Sequence, residues 1–125
     1  MNMYTAYIMN LSSQLWGKKW RAAIMWQLKD GPLRFSEIKK TLPSCSVKML
    51  SEALQELESN NVIKRVVHST TPVKVTYELH SDLYPLIEAQ KNYYDLLAHY
   101  FLNNKEHYNI PPEIVELLKD KLITS

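Results

Sequence analysis

Between Ser44 and Asn61 the chain reads SCSVKMLSEALQELESNN, and two kinds of residue share that stretch at helical spacing. Leu50, Ala53, Leu54 and Leu57 recur every three or four positions, which predicts a helix with one dry face. The opposite face carries Lys48, Ser51, Glu52, Gln55 and Ser59, all polar and able to hydrogen-bond. Ser46 precedes them and can cap the helix, as can Ser44. This is the chemistry of base-edge recognition. Glutamine can pair bidentately with adenine, glutamate accepts from cytosine N4, and lysine donates to guanine O6 and N7. Ser46, Lys48, Ser51, Glu52 and Gln55 are therefore the candidate base readers.

A polar outer face is common among soluble helices, so the flanking elements decide what it is for. A short helix comes first, opened at Phe35-Ser36 with Ser36 as N-cap, turning Ile38 and Leu42 inward and Lys39-Lys40 outward. It stops at Leu42-Pro43, because proline disfavours helix in the residue before it. Two helices joined by a tight turn make the helix-turn-helix plan, with the second helix in the DNA major groove. After Asn60-Asn61, the β-rich runs VIKRVV and VKVTYEL flank HSTTP, which predicts a hairpin. Val73, Val75, Tyr77 and Leu79 alternate with Lys74, Thr76 and Glu78, so the first set is expected to face the core. Helix, helix-turn-helix and hairpin together predict a winged helix, an α+β fold that is mainly α.

Cations surround this head. Lys18, Lys19 and Arg21 crowd the first turn of a helix expected from Gly17 to Asp30, the unfavourable end of its dipole. A local stability argument does not explain them, whereas a nearby phosphate would. Lys18, Lys19, Arg34, Lys48, Arg65 and Lys74 form the candidate phosphate set, with Ser36 and His68 beside them at the helix opening and the wing tip. Net charge is only +2, but residues 1–75 hold 11 Lys+Arg against 5 Asp+Glu, whereas residues 76–125 hold 4 against 8. The basic part contains the proposed reading head, the footprint expected of a nucleic-acid binder.

The remaining elements frame the head. In the Gly17–Asp30 helix, Trp20, Ala23, Ile24, Gln27 and Leu28 mark the core side, and Gly31-Pro32 ends it. Before it, Tyr4, Tyr7, Ile8, Leu11 and Leu15 form a stripe on a short amphipathic helix that has nothing local to cover it. Ser81 is expected to cap a long helix over 82–102 whose apolar stripe exceeds what so small a winged helix needs to cover. The surplus suggests a twofold interface, with Tyr7, Leu11, Leu83, Leu86, Ile87, Tyr94, Leu97 and Phe101 as candidate contacts. A polar linker and a last helix with Ile114, Leu117, Leu118 and Leu122 at helical spacing complete the chain. The expected organisation is a single winged-helix domain over 1–125: an arm at 1–15, the core at 16–80, a long dimerisation helix at 81–104, and a linker and helix at 105–125.

Other chemistry fits poorly. Two glycines leave no phosphate-cradling loop, and no G-x-S-x-G element occurs. His68, His80, His99 and His107 lack metal-site spacing, and one cysteine, Cys45, excludes an internal disulfide and a four-cysteine zinc site. We expect a buried, inert thiol in the inter-helix turn, since no cationic residue adjoins it. Neither a leader peptide nor a membrane-spanning run is evident, so a cytoplasmic, non-enzymatic protein needing no cofactor or metal is expected.

The order and spacing of Gly17-x-Lys19-Trp20, Asp30-Gly31-Pro32, Arg34-Phe35-Ser36, SVKMLSEALQELE and Pro72-x-Lys74-Val75-x-Tyr77 resemble the HxlR-type winged-helix transcription regulators, relatives of the MarR group. The resemblance covers about residues 15 to 80. It implies a prokaryotic homodimer on a palindromic operator of double-stranded DNA, with the wing near the minor groove. The chain departs from the family pattern in three places. It has no cysteine before Gly17, where family members that sense electrophiles carry one, so thiol sensing is not expected. Gln55 stands where arginine is common, which implies a different operator. His80-Ser81-Asp82-Leu83 replaces the usual start of the long helix. Two alternatives stay open: a winged helix serving as a protein-interaction module, favoured by Glu52, Glu56 and Glu58, and a cavity lined by some of the eight tyrosines and three tryptophans for a small aromatic effector.

Overall fold

The computed structural model describes the backbone of residues 1–124 and the side chains of residues 1–120. It divides into two compact units, 1–84 and 85–125.

In the first unit, helix α1 (Met3–Trp16) starts at Asn2, whose side-chain oxygen accepts from the Thr5 N–H at 2.8 Å. No residue of α1 is buried, which agrees with a stripe lacking local cover. Gly17 closes the helix at a point where a methyl group would run into the Ser13 carbonyl oxygen. Helix α2 (Lys19–Gln27) follows and tightens into a 3₁₀ turn at Leu28–Asp30. Its buried residues are Ile24, Met25 and Leu28. Trp20, Ala23 and Gln27, expected in the core, are only half-buried, and Met25 packs fully instead. Its unbranched thioether adapts to a gap that periodicity alone does not reveal. Gly31 then takes φ 135°, a conformation essentially reserved for glycine.

Helix α3 (Phe35–Thr41) is capped differently from expectation. Arg34, in extended conformation, is the N-cap; its N–H donates to the Glu37 carboxylate at 2.9 Å, and Ser36 lies inside the first turn. The Glu37 carboxylate, three residues past the cap, satisfies the cap residue's own N–H, and the Glu37 N–H donates to the Arg34 carbonyl at 3.1 Å. Helix α4 (Val47–Ser59) begins as predicted, with the Ser46 hydroxyl accepting from the Met49 N–H at 3.1 Å. All four residues of its dry face, Leu50, Ala53, Leu54 and Leu57, are buried. Asn61 ends it with φ 60°, while Val62 N–H reaches Leu57 O at 2.9 Å and Asn61 N–H reaches Glu58 O at 3.0 Å. That closure leaves few helix carbonyls unpaired and aims the chain into the hairpin.

Strands β1 (Ile63–His68) and β2 (Lys74–Leu79) pair antiparallel from Ile63 opposite Leu79 to His68 opposite Lys74. Leu33 bridges to Tyr77 with N–H to O distances of 3.0 and 2.8 Å in the two directions, so the turn before α3 acts as a third edge of the sheet. The expected alternation in β2 holds for Leu79 but fails for Thr76, which is 6% exposed, and for Val73, which lies outside the strand and is exposed. Thr76 is covered on the face where His68 sits above it, the hydroxyl 2.8 Å from His68 Nε2. A buried hydroxyl with a partner is tolerable where an unpaired one would not be. The expected Ser81 cap is also displaced: His80 Nδ1 accepts from the Asp82 N–H at 3.1 Å and caps a 3₁₀ turn at Ser81–Leu83.

Helix α5 (Tyr84–Asn103) leads into the second unit, which closes with helix α6 (Pro112–Thr124). Tyr100 and Tyr108 join hydroxyl to hydroxyl at 2.8 Å, and Phe101 meets both rings edge to face at 5.5 and 4.9 Å. Val115 is buried, Ile114 and Leu117 are exposed, and Leu122 lies outside the described side chains.

Candidate nucleic-acid interface

With Leu50, Ala53, Leu54 and Leu57 buried, helical geometry presents the opposite side of α4 to solvent. Lys48, Ser51, Glu52 and Gln55 are all exposed there, and among the described residues their side chains have no hydrogen-bond or ion-pair partner. Ser46 is exposed but its hydroxyl is spent on the cap, which orients it at the helix start. Arg34 and Ser36 are exposed at the opening of α3.

The hairpin sorts its own candidates. Directly paired residues share a face, so Val66, His68, Lys74 and Thr76 lie together while Arg65 and Tyr77 lie on the other side. The first face borders a groove of about 380 Å³ lined also by Pro32 and Glu37, next to the α3 opening. Lys74 and His68 therefore border the segment around the α3 opening at Pro32 and Glu37, whereas Arg65 lies on the other face of the hairpin. Lys74 and His68 are half-buried, and His68 is engaged with Thr76.

The cations at the start of α2 have partners that the sequence did not reveal. Arg21 donates from Nε to Glu56 Oε2 at 3.1 Å and from Nη2 to Glu56 Oε1, and Lys18 Nζ donates to Glu56 Oε1 at 3.3 Å. The Arg21 guanidinium, with Lys18 second, holds the Glu56 carboxyl below the usual glutamate range. Lys19 lies 4.6 Å from the centre of the Trp20 ring. The expectation that the fold gives these residues no partner is thus corrected: Glu56, 35 positions after Arg21 and 38 after Lys18, pairs with both, and a cation–π contact engages Lys19. The same pairing removes Glu56 from the acidic residues that argued for a protein-interaction role.

Among the candidate interface residues, Tyr7 is 64% and Leu11 41% exposed on α1, and Leu86 and Tyr94 are exposed on α5. Leu83 and Leu97 are half-buried. Phe101 is half-buried in its aromatic cluster, and Ile87, at 1% exposure, is unavailable to any other surface. Cys45 is fully buried, its N–H donating to Leu42 O at 3.0 Å. No group of His, Cys, Asp and Glu among the described residues is arranged to hold a metal ion, and no described helix is long and apolar enough to cross a membrane.

A capped outward helix, a short helix before it and a two-stranded finger bridged to the intervening turn define a winged helix-turn-helix protein. Comparison with known sequences narrows this further. The profile of the HxlR-like helix-turn-helix family matches residues 15–112, and the chain belongs to that family. It is 49% identical over 71 residues to the HTH-type transcriptional regulator YodB of Bacillus subtilis, a match covering 57% of this chain and 63% of YodB. Several other curated relatives are matched over only about half their length. Among solved structures, the reduced form of YodB superposes with a TM-score of 0.62 at 41% identity, covering 70% of this chain and 88% of that one. The redox regulator HypR in its oxidised form superposes with a TM-score of 0.61 at 30% identity, covering 68% and 91%.

Proposed function

We propose that this chain is a transcription regulator that binds double-stranded DNA as a homodimer, placing α4 of each copy in successive major grooves of a palindromic operator. The observation that carries the reading is the outer side of α4. Lys48, Ser51, Glu52 and Gln55 are exposed and unpaired on a helix whose other side is fixed in the core. Arg34, Lys48 and Lys74 supply phosphate contacts, and Ser36 and His68 border the sugar-phosphate edge. Lys18 and Lys19 keep exposed side chains and can add to the field while holding their intramolecular partners. The two copies meet through the charge-free α1, with Tyr7 and Leu11, and through the exposed side of α5, with Leu86 and Tyr94. A twofold dimer reading two half-sites needs its reading helices about 34 Å apart, one DNA turn.

Selection of bound duplexes from a random pool tests the reading. The expected result is an enriched motif with two inverted half-sites whose centres are about 10 base pairs apart. Enrichment of no motif, or of a single asymmetric one, would refute it.

A ligand-responsive version of this function draws support from YodB, which has been solved bound to quinone; that structure superposes with a TM-score of 0.57 at 35% identity over 70% of this chain and 96% of that one. The sole cysteine here is buried, so an aromatic effector would be held without a bond to sulfur. A thermal-shift screen against small aromatics tests this, and a flat response across the panel would count against it.

A further inference from the structure

Arg21 is only 13% exposed, and its guanidinium serves two helices besides its own. Nε and Nη2 grip the Glu56 carboxylate on α4, while Nη1 donates to the Gln14 carbonyl at 3.3 Å. Gln14 lies in the last turn of α1, where carbonyls have no partner within the helix. A guanidinium carries its five donors in one rigid plane, so satisfying the carbonyl and the carboxylate together fixes the end of α1 relative to α4. Arg21 lines a groove of about 610 Å³ together with Leu11 and Leu15 of α1 and with Leu57 of α4 and Val62 just beyond it, so the fork sits where the two helices face a common opening. Glu56 neighbours Gln55 and lies one helical turn from Glu52, both on the outward side. A shift of Glu56 therefore turns the base-reading side chains with it.

We propose that Arg21 is a positioning residue that couples α1 to the reading helix, so that docking of a second copy on α1 sets the angle of α4. The proposal rests on the assignment of α4 to DNA and of α1 to the contact between copies. Lys18 adds charge to Glu56 but remains 65% exposed and makes no reach to α1, so it cannot substitute for the fork. Lysine at position 21 would keep the charge and lose the planar geometry.

Hydrogen–deuterium exchange on the full-length protein, without DNA, tests the coupling directly. Four chains are compared: the parent, Arg21→Lys, Glu56→Gln and the double variant. Among the described residues Glu56 pairs with Lys18 and Arg21 and with nothing in α1, so a purely local role predicts that Glu56→Gln loosens only α4 and α2. The coupling predicts that it also speeds exchange in the last turn of α1, residues 13–17, by about tenfold, the size expected for weakening one charge-assisted hydrogen bond. Arg21→Lys should do the same at both ends, while exchange in β1 and β2 stays as in the parent. Unchanged exchange at 13–17 in Glu56→Gln would overturn the proposal, as would uniform acceleration across the chain. A parallel titration of each variant against selected and random duplexes reads specificity. If the parent prefers no duplex, the DNA assignment fails and the exchange result still judges the coupling. If the parent discriminates, Arg21→Lys, Glu56→Gln and the double variant should lose the same preference, and losses that simply add would overturn it.

Discussion

Replacing Lys74 with alanine should change how binding depends on salt, and the structure supplies the size. Each phosphate neutralised releases counterions and contributes about −0.9 to the slope of log affinity against log salt. Lys18 is drawn to Glu56 and Lys19 to the Trp20 ring, so the uncommitted cations on the proposed DNA side are Arg34, Lys48 and Lys74. Two copies give about six contacts and a slope near −5.4, hence a loss of roughly 10³ in affinity between 50 and 200 mM salt. Lys74→Ala removes two of them. The slope should fall to about −3.6, and the loss over the same range to roughly 10². Fluorescence anisotropy with a labelled duplex at four salt concentrations measures this, with Arg65→Ala as the control on the other side of the hairpin. A variant slope within about 0.5 of the parent's would refute the placement of Lys74. So would equal flattening by Arg65→Ala, since the sorting of the hairpin faces would then have no bearing on DNA.

Gln55→Ala should relax preference at one base pair per half-site by about 1–3 kcal/mol and leave binding to random duplex nearly intact, as measured by competition with single-position variants. Gly31→Ala should destabilise by about 1–3 kcal/mol because its φ of 135° excludes a side chain; a thermal melt matching the parent would contradict this. Asn61→Gly, at the other positive φ, should melt no lower than the parent. Because the folded-state pKa of Glu56 is depressed, its contribution to stability is present above its ordinary pKa of about 4.5 and fades as pH falls below it. Denaturant curves at pH 7 and pH 3 should therefore show a smaller acid loss in Glu56→Gln than in the parent. Cys45 should react with a thiol reagent only after unfolding, and rapid labelling of the native protein would show that the inter-helix turn opens.

Much of the reading head was legible in the sequence because its signals are local. The spacing of Leu50, Ala53, Leu54 and Leu57 needs no tertiary information, nor do the Gly31-Pro32 stop and the Ser46 cap. The strands begin and end within one residue of the apolar runs that announced them. What escaped depends on residues far apart in the chain. The Arg21–Glu56 pair spans 35 positions, and three cations in one turn look alike whether they await a phosphate or a carboxylate. Thr76 reads as outward by alternation but is buried, with its hydroxyl hydrogen-bonded to a histidine eight residues earlier. Ser36 reads as a cap by residue type, yet the helix starts ahead of it, with Arg34 as N-cap and the Glu37 carboxylate accepting the Arg34 N–H. Of the candidate contacts between copies, periodicity could place Ile87 on the apolar stripe but not tell that its own chain had claimed it.

The two hydrogen bonds between Leu33 and Tyr77 stitch the finger to the hinge ahead of α3. A five-residue tip on a ladder that is itself bridged to the preceding turn cannot swing independently of the head it extends from. Trimming or lengthening its tip, around Ser69 to Pro72, ought to change reach along the duplex without altering which bases are read. That makes the tip the place where sister proteins with the same head could diverge in footprint while keeping a common code.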